Sequence, residues 1–79
     1  MNVKIKLPPL GTGIQEATFV TWLKNPGDQV GEGESIAEVM TDKTNIELPA
    51  PVAGTLMEAT ASADDVVHIG DVLGVIRKA

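Results

Sequence analysis

Cysteine and tyrosine are absent from the 79 residues, and phenylalanine, tryptophan and histidine occur once each, as Phe19, Trp22 and His68. Without cysteine there can be no disulfide, thiolate metal site or thiol nucleophile. That fits a reducing compartment, the cytoplasm or, in a eukaryote, the mitochondrial matrix. A single histidine with no cysteine excludes a zinc site, and His68 reads as a half-exposed strand residue rather than a ligand. No apolar run approaches the ~18 residues of a membrane span, and Lys4 and Lys6 interrupt the start, so neither a span nor a secretory segment is read and no membrane partner is expected. Basic residues are few and scattered, 6 against 11 acidic ones for a formal charge of −5, so nucleic acid is not an expected partner. Phe19 and Trp22, three apart, should face opposite sides of a strand, one in the core and one semi-exposed, which makes no base-stacking platform.

Long helices are also missing. Eight glycines and five prolines punctuate the chain, and the stretches between them read as strands. Val3-Lys4-Ile5-Lys6-Leu7 alternates until Pro8-Pro9 stops it. Ala17 to Leu23 is β-branched and aromatic, and Asn25-Pro26-Gly27-Asp28 follows as a tight turn. A short run centres on Val30. Ser35 to Met40 alternates, with Ile36, Glu38 and Met40 opposing Ala37 and Val39. Ile46 and Leu48, then Thr55 to Thr60, Val66-Val67 and Val72 to Ile76 complete about eight short strands. The 43% apolar content supplies one core for one domain over residues 1–79. That core is expected to hold Ile5, Phe19, Val30, Ile36, Val39, Leu56, Val67, Leu73 and Ile76.

The sequence repeats itself. A shift of 37 places superposes Ala17-Thr18-Phe19-Val20 on Gly54-Thr55-Leu56-Met57 and Gly33-Glu34-Ser35-Ile36 on Gly70-Asp71-Val72-Leu73. Thr18/Thr55, Asp28/Asp65, Val30/Val67 and Gly33/Gly70 are identical. Two copies are too few for a solenoid. They describe instead a closed object with pseudo-two-fold symmetry, in which each half is a sheet that cannot bury its apolar face alone. The expected fold is all-β, a flattened β-barrel or barrel-sandwich hybrid of two four-stranded antiparallel sheets. Met40 to Asn45 joins the halves and is the hairpin tip opposite the chain ends.

Thr41-Asp42-Lys43-Thr44 occupies that tip. Asp42 suits a turn because its carboxylate can accept backbone N–H groups ahead of it. Lys43, one of five lysines, reads most simply as a solvated turn residue. Its place at the junction of a two-fold repeat gives it a second reading, as an amine that can be acylated without disturbing the fold. Other candidates carry less. The carboxylates of Asp28, Glu34 and the adjacent Asp64-Asp65 fall in turns where neighbouring side chains point in different directions, with no nucleophile near them in sequence, so no catalytic centre is read within the domain. Gly11-Thr12-Gly13 precedes no helix and makes no phosphate cradle. It is the tip of a mobile loop, Leu10 to Gln15, between the first two strands.

The stretches Leu7-Pro8-Pro9-Leu10-Gly11, Gly13-Ile14-Gln15-Glu16-Ala17, Trp22-Leu23-Lys24-Asn25-Pro26-Gly27-Asp28-Gln29-Val30, Glu38-Val39-Met40-Thr41-Asp42-Lys43, Glu47-Leu48-Pro49-Ala50-Pro51-Val52-Ala53-Gly54 and Gly70-Asp71-Val72-Leu73 span essentially the whole chain. Together, in this order and spacing, they resemble the lipoyl domain of the 2-oxo acid dehydrogenase acyltransferases, the E2 components. One departure is Asp64-Asp65, where such domains usually have Gly-Asp. Asp tolerates left-handed backbone better than most residues, so a slightly strained turn is expected there.

The resemblance implies that Lys43, flanked by Asp42 and Thr44, carries lipoate in amide linkage. It also implies that the loop of Leu10, Gly11, Thr12, Gly13, Ile14 and Gln15 lies close to the lysine hairpin and helps partners tell one such domain from another. The arm is then acylated by E1, the thiamine-dependent 2-oxo acid dehydrogenase, delivers the acyl group to coenzyme A at the E2 core, and is reoxidised by E3, the dihydrolipoamide dehydrogenase. Lipoate-protein ligase attaches the arm. The isolated domain is expected to be a monomer. Ala79 falls where the family's flexible linker begins, so the chain is expected to be a domain from the N-terminal part of a longer E2. The residues around Ile14 and Met40 favour a branched-chain or pyruvate complex over a 2-oxoglutarate one. Two alternatives remain open: a biotin carrier, although biotin domains place Met on both sides of their lysine, and an unmodified structural module.

Overall fold

A computed structural model describes residues 1–11 and 13–79. Among them there are eight strands and no helix: β1 (Asn2–Lys6), β2 (Glu16–Trp22), β3 (Gln29–Val30), β4 (Ser35–Met40), β5 (Asn45–Pro49), β6 (Gly54–Ala59), β7 (Val66–His68) and β8 (Val72–Lys78). They form two antiparallel sheets of four, in the orders β1-β8-β6-β3 and β5-β4-β2-β7. The sheets pack as a flattened sandwich of 34 × 21 × 17 Å rather than closing into a barrel. Every residue expected in the core is buried, and Leu7, Ala17, Ala37, Leu48, Ala50 and Ala61 complete it.

The pseudo-two-fold axis extends to the irregularities. Each long strand carries a β-bulge, an extra residue that bends the strand and resets its alternation. The bulged residues are Val20, Ile36, Met57 and Leu73, and the shift of 37 that relates the halves takes Val20 to Met57 and Ile36 to Leu73. Two sequence expectations fail at these bulges. Ile36 does not oppose Ala37 and Val39, because all three are buried. Phe19 and Trp22 do not face opposite sides either: Val20 is the inserted residue, so both rings lie on the core side, centroids 5.2 Å apart, with Phe19 buried and Trp22 half-buried as expected. The Trp22 Nε1–H then donates to the carbonyl of Ala61 at 2.8 Å.

The turns obey the same symmetry. Asn25 N–H donates to Asp28 Oδ2, and Ser62 N–H to Asp65 Oδ2. Gly31 N–H donates to Glu34 Oε1, and His68 N–H to Asp71 Oδ2. These four carboxylates therefore hold turns. Where the halves differ is the connection after the first strand of each. Nine residues separate Leu7 from Ala17, whereas three separate the related Ala50 and Gly54. The first half has a loop six residues longer.

Candidate functional site

The link between the halves is the β4–β5 hairpin. Thr41 N–H donates to the carbonyl of Thr44 at 2.9 Å, and this bond is the symmetry mate of Lys78 N–H to the carbonyl of Met1. The hairpin tip and the chain termini are thus the two ends of the pseudo-symmetric sandwich, as the repeat implied. Lys43 is exposed at this tip, and among the described residues its ammonium forms no ion pair.

The residue that organises the tip is Thr41. Its hydroxyl donates to the carbonyl of Thr44 at 3.0 Å and accepts the N–H groups of Lys43 and Thr44 at 3.3 and 3.2 Å. This is a side chain closing its own turn. The capping role that sequence reasoning gives to Asp42 therefore belongs to Thr41, because the hydroxyl both donates and accepts. Asp42 remains an exposed carboxylate beside the lysine. A threonine opening a four-residue hairpin is the signal that could have revealed this in the sequence.

Beside the tip, the longer loop of the first half borders a groove of about 490 Å³, lined by residues 13–18 of the loop and β2, residues 40–43 of the hairpin, and Val66. Of the loop residues singled out by sequence, Gly13, Ile14 and Gln15 reach the hairpin side. Leu10 instead packs against the core, Gly11 accepts the N–H of Ile14, and Thr12 lies outside the described residues. Ile69 N–H donates to the carbonyl of Gln15 at 3.1 Å, tying the loop to the end of β7.

Charge is divided between the sheets. The strands flanking the hairpin, β5-β4-β2-β7, contain Glu16, Glu38 and Glu47 and neither Lys nor Arg; those of the other sheet contain Lys4, Lys6, Arg77 and Lys78 against Glu58 alone. Glu38 and Glu47 are direct cross-strand partners, an arrangement that costs stability. Lys24, outside the strands, pairs with Glu34 at 2.7 Å. That contact raises the pKa of Lys24 and, with the Gly31 N–H, lowers that of Glu34. His68 is exposed, its ring nitrogens 3.6 Å from Glu16 and Asp71. Lys43 is thus an exposed amine on the acidic side of the molecule.

Comparison with known proteins adds the following. The family described as "Biotin-requiring enzyme" (biotin/lipoyl) matches residues 3–76. The dihydrolipoyllysine-residue acetyltransferase component of the pyruvate dehydrogenase complex of Corynebacterium glutamicum is 42% identical over 79 residues, all of this chain and 12% of that protein. The dihydrolipoyllysine-residue succinyltransferase component of the 2-oxoglutarate dehydrogenase complex of Bacillus subtilis is 44% identical over 75 residues, 95% of this chain and 18% of that one. The chain therefore spans less than a fifth of the length of these relatives. In structure it is similar to the lipoyl domain of the 2-oxoglutarate dehydrogenase complex from Azotobacter vinelandii, with a TM-score of 0.75, 33% identity and 96% of each chain covered. Pyruvate and 2-oxoglutarate relatives are comparably similar, so these matches do not separate the two complexes.

Proposed function

This chain belongs to the biotin/lipoyl family, and from that premise we propose that Lys43 carries lipoate in amide linkage, making the domain the swinging-arm carrier of a 2-oxo acid dehydrogenase E2. The observation that carries the reading is the position of Lys43, an exposed amine at the tip of the hairpin joining two pseudo-symmetric halves. The residues present fit the group. The Lys43 amine makes no competing ion pair among the described residues, and the turn is closed by Thr41 rather than by the lysine. When bound, the dithiolane supplies an acyl acceptor and a two-electron couple.

The domain's own residues provide presentation and recognition. Tethering the arm to a carrier raises its local concentration at each partner site to the order of millimolar. Glu16, Glu38, Glu47 and Asp42 near the hairpin steer the domain toward basic surfaces on E1, on the acyltransferase core, on E3 and on the ligase that attaches the arm. Acylation of Lys43 takes the formal charge from −5 to −6. Asp42 and Thr44 flank the lysine where biotin domains carry methionines, which favours lipoate over biotin. The test is intact mass after co-expression with lipoate-protein ligase and, separately, with a biotin ligase. A lipoyl adduct on the wild type and none on Lys43→Arg is the expected result. A biotin adduct, or no adduct, refutes the reading.

A further inference from the structure

The two ends of the sandwich share one backbone and differ in their side chains. At the hairpin end, Val66, Thr18, Met40 and Asn45 form a row across β7, β2, β4 and β5. At the end of the chain termini, Gln29, Thr55, Arg77 and Asn2 form the related row across β3, β6, β8 and β1. Thr18 and Asn45 have identical counterparts in Thr55 and Asn2. Val66 and Met40, however, stand where the other end has Gln29 and Arg77. Val66 is 57% exposed and Met40 46% exposed, so neither is required by the core, and the related row accommodates polar side chains in the same backbone setting. From the longer loop, Gly13, Ile14 and Gln15 border the row at the hairpin end, where the groove measures about 490 Å³. Its counterpart beside Gln29 and Thr55 measures about 250 Å³.

We propose that this groove is a resting cradle for the arm attached at Lys43, which lies across Thr18 between Met40 and Val66 and against Ile14. The inference rests on the reading of Lys43 as a lipoyl-lysine. Lys43 itself borders the groove, so the occupant is tethered at its mouth and needs little intrinsic affinity. Met40 and Val66 lie two strand spacings apart, about 10 Å, the scale of a medium-chain acyl group. A thioether is flexible and polarisable and so adapts to an irregular apolar partner. The arm is uncharged, whereas an anion would meet Glu16 and Asp42 in the same lining. Docked there, the dithiolane is shielded between visits to partners, and a partner engages it by displacing it from the domain's own surface.

The test uses the lipoylated domain, with the adduct verified by intact mass, beside the lipoylated double variant Met40→Gln/Val66→Gln. The second substitution installs the residue found in the related row. Two quantities are read: nuclear Overhauser contacts between arm protons and the methyls of Met40, Val66 and Ile14 in the wild type, and the rate at which iodoacetamide alkylates the phosphine-reduced arm. Contacts are expected in the wild type. The variant should be alkylated at least about twice as fast, as follows if the arm is docked half the time or more. Free dihydrolipoamide should react equally fast with either domain present. Absent contacts or equal alkylation rates in lipoylated protein overturn the cradle alone. Absence of an adduct overturns the carrier reading and the cradle with it.

Discussion

Gly27 and Asp64 hold the same place in the two halves, and both have left-handed backbone, with φ of 98° and 72°. Gly27 N–H donates to the carbonyl of Leu56, and Asp64 N–H to that of Phe19, so each turn is stitched to the opposite half by the same bond. Asp64 is the one non-glycine residue with positive φ among those described. The Asp at this point was visible in the sequence as a departure, and the structure keeps the turn while bearing the strain.

Replacing Asp64 with glycine relieves that strain at some cost in unfolded-state entropy. The expected net effect is a stabilisation of up to ~1 kcal/mol, with Gly27→Asp destabilising by a similar amount. Urea midpoints of the two single variants measure this. Destabilisation by Asp64→Gly would show that the Asp64 side chain holds the turn in some way the geometry does not reveal.

Leu56 is fully buried beside the Met57 bulge and pairs with Ile76. Truncation to alanine is expected to cost ~2–5 kcal/mol, a large share of the total stability of so small a domain. A measured loss under ~1 kcal/mol would mean the sandwich collapses around the cavity and that its packing is not the close-fitted kind described here.

The Lys24–Glu34 pair gives stability a pH dependence whose sign is fixed. Hydrogen bonding to Lys24, followed by the Gly31 N–H, lowers the pKa of Glu34. Its contribution is therefore complete above the ordinary glutamate value of ~4.3 and is lost as pH falls through the folded value. Lys24 is raised chiefly by the same hydrogen bond, so its contribution is complete below ~10.4 and fades as pH rises through its folded value. Glu34→Gln keeps an acceptor for Gly31 and removes only the charge. Wild type should exceed the variant at pH 7 by a small margin that shrinks with salt, and the two should converge in acid. A margin unchanged down to pH 2 would assign the difference to something other than the ion pair.

Much of this architecture could be read from the residues. Thr18/Thr55, Asp28/Asp65 and Gly33/Gly70 sit at equivalent structural points, and the apolar positions chosen from local strand patterns are all buried. The bulges could not be read, because an inserted residue such as Val20 looks in sequence like any apolar strand position; only its coincidence with Met57 under the repeat marks it. The longer loop beside the lysine did leave a trace. Asn2 and Pro8 match Asn45 and Pro51 at a shift of 43 rather than 37, and the difference of six is the surplus length of the loop whose Gly13, Ile14 and Gln15 border the groove. The exposed pair Met40 and Val66 was missed because what distinguishes it is a cross-strand relationship, whereas Thr41 was missed although its signal, a hydroxyl opening a four-residue turn, is local.

Placement of Lys43 is the last and most decisive matter. Neighbouring residues of a hairpin point in different directions, so an amine moved by one position leaves the place that a ligase reading the folded turn would engage. Exchanging Asp42 and Lys43 keeps composition and charge, and it leaves the Thr41 hydroxyl free to accept the same two backbone N–H groups. That variant should fold and lose lipoylation. Thr41→Val removes the hydroxyl that closes the turn at nearly constant shape, so it should fold with ~1 kcal/mol lower stability and be lipoylated more slowly. Asp42→Ala leaves the turn closed and should have the mildest effect. Lipoate incorporation is followed by intact mass at matched protein and ligase concentrations, with circular dichroism confirming each fold. If the exchanged variant is lipoylated as fast as the wild type, the ligase does not read position within the turn. The geometric reason for assigning the arm to Lys43 then fails, whatever the identity of the adduct.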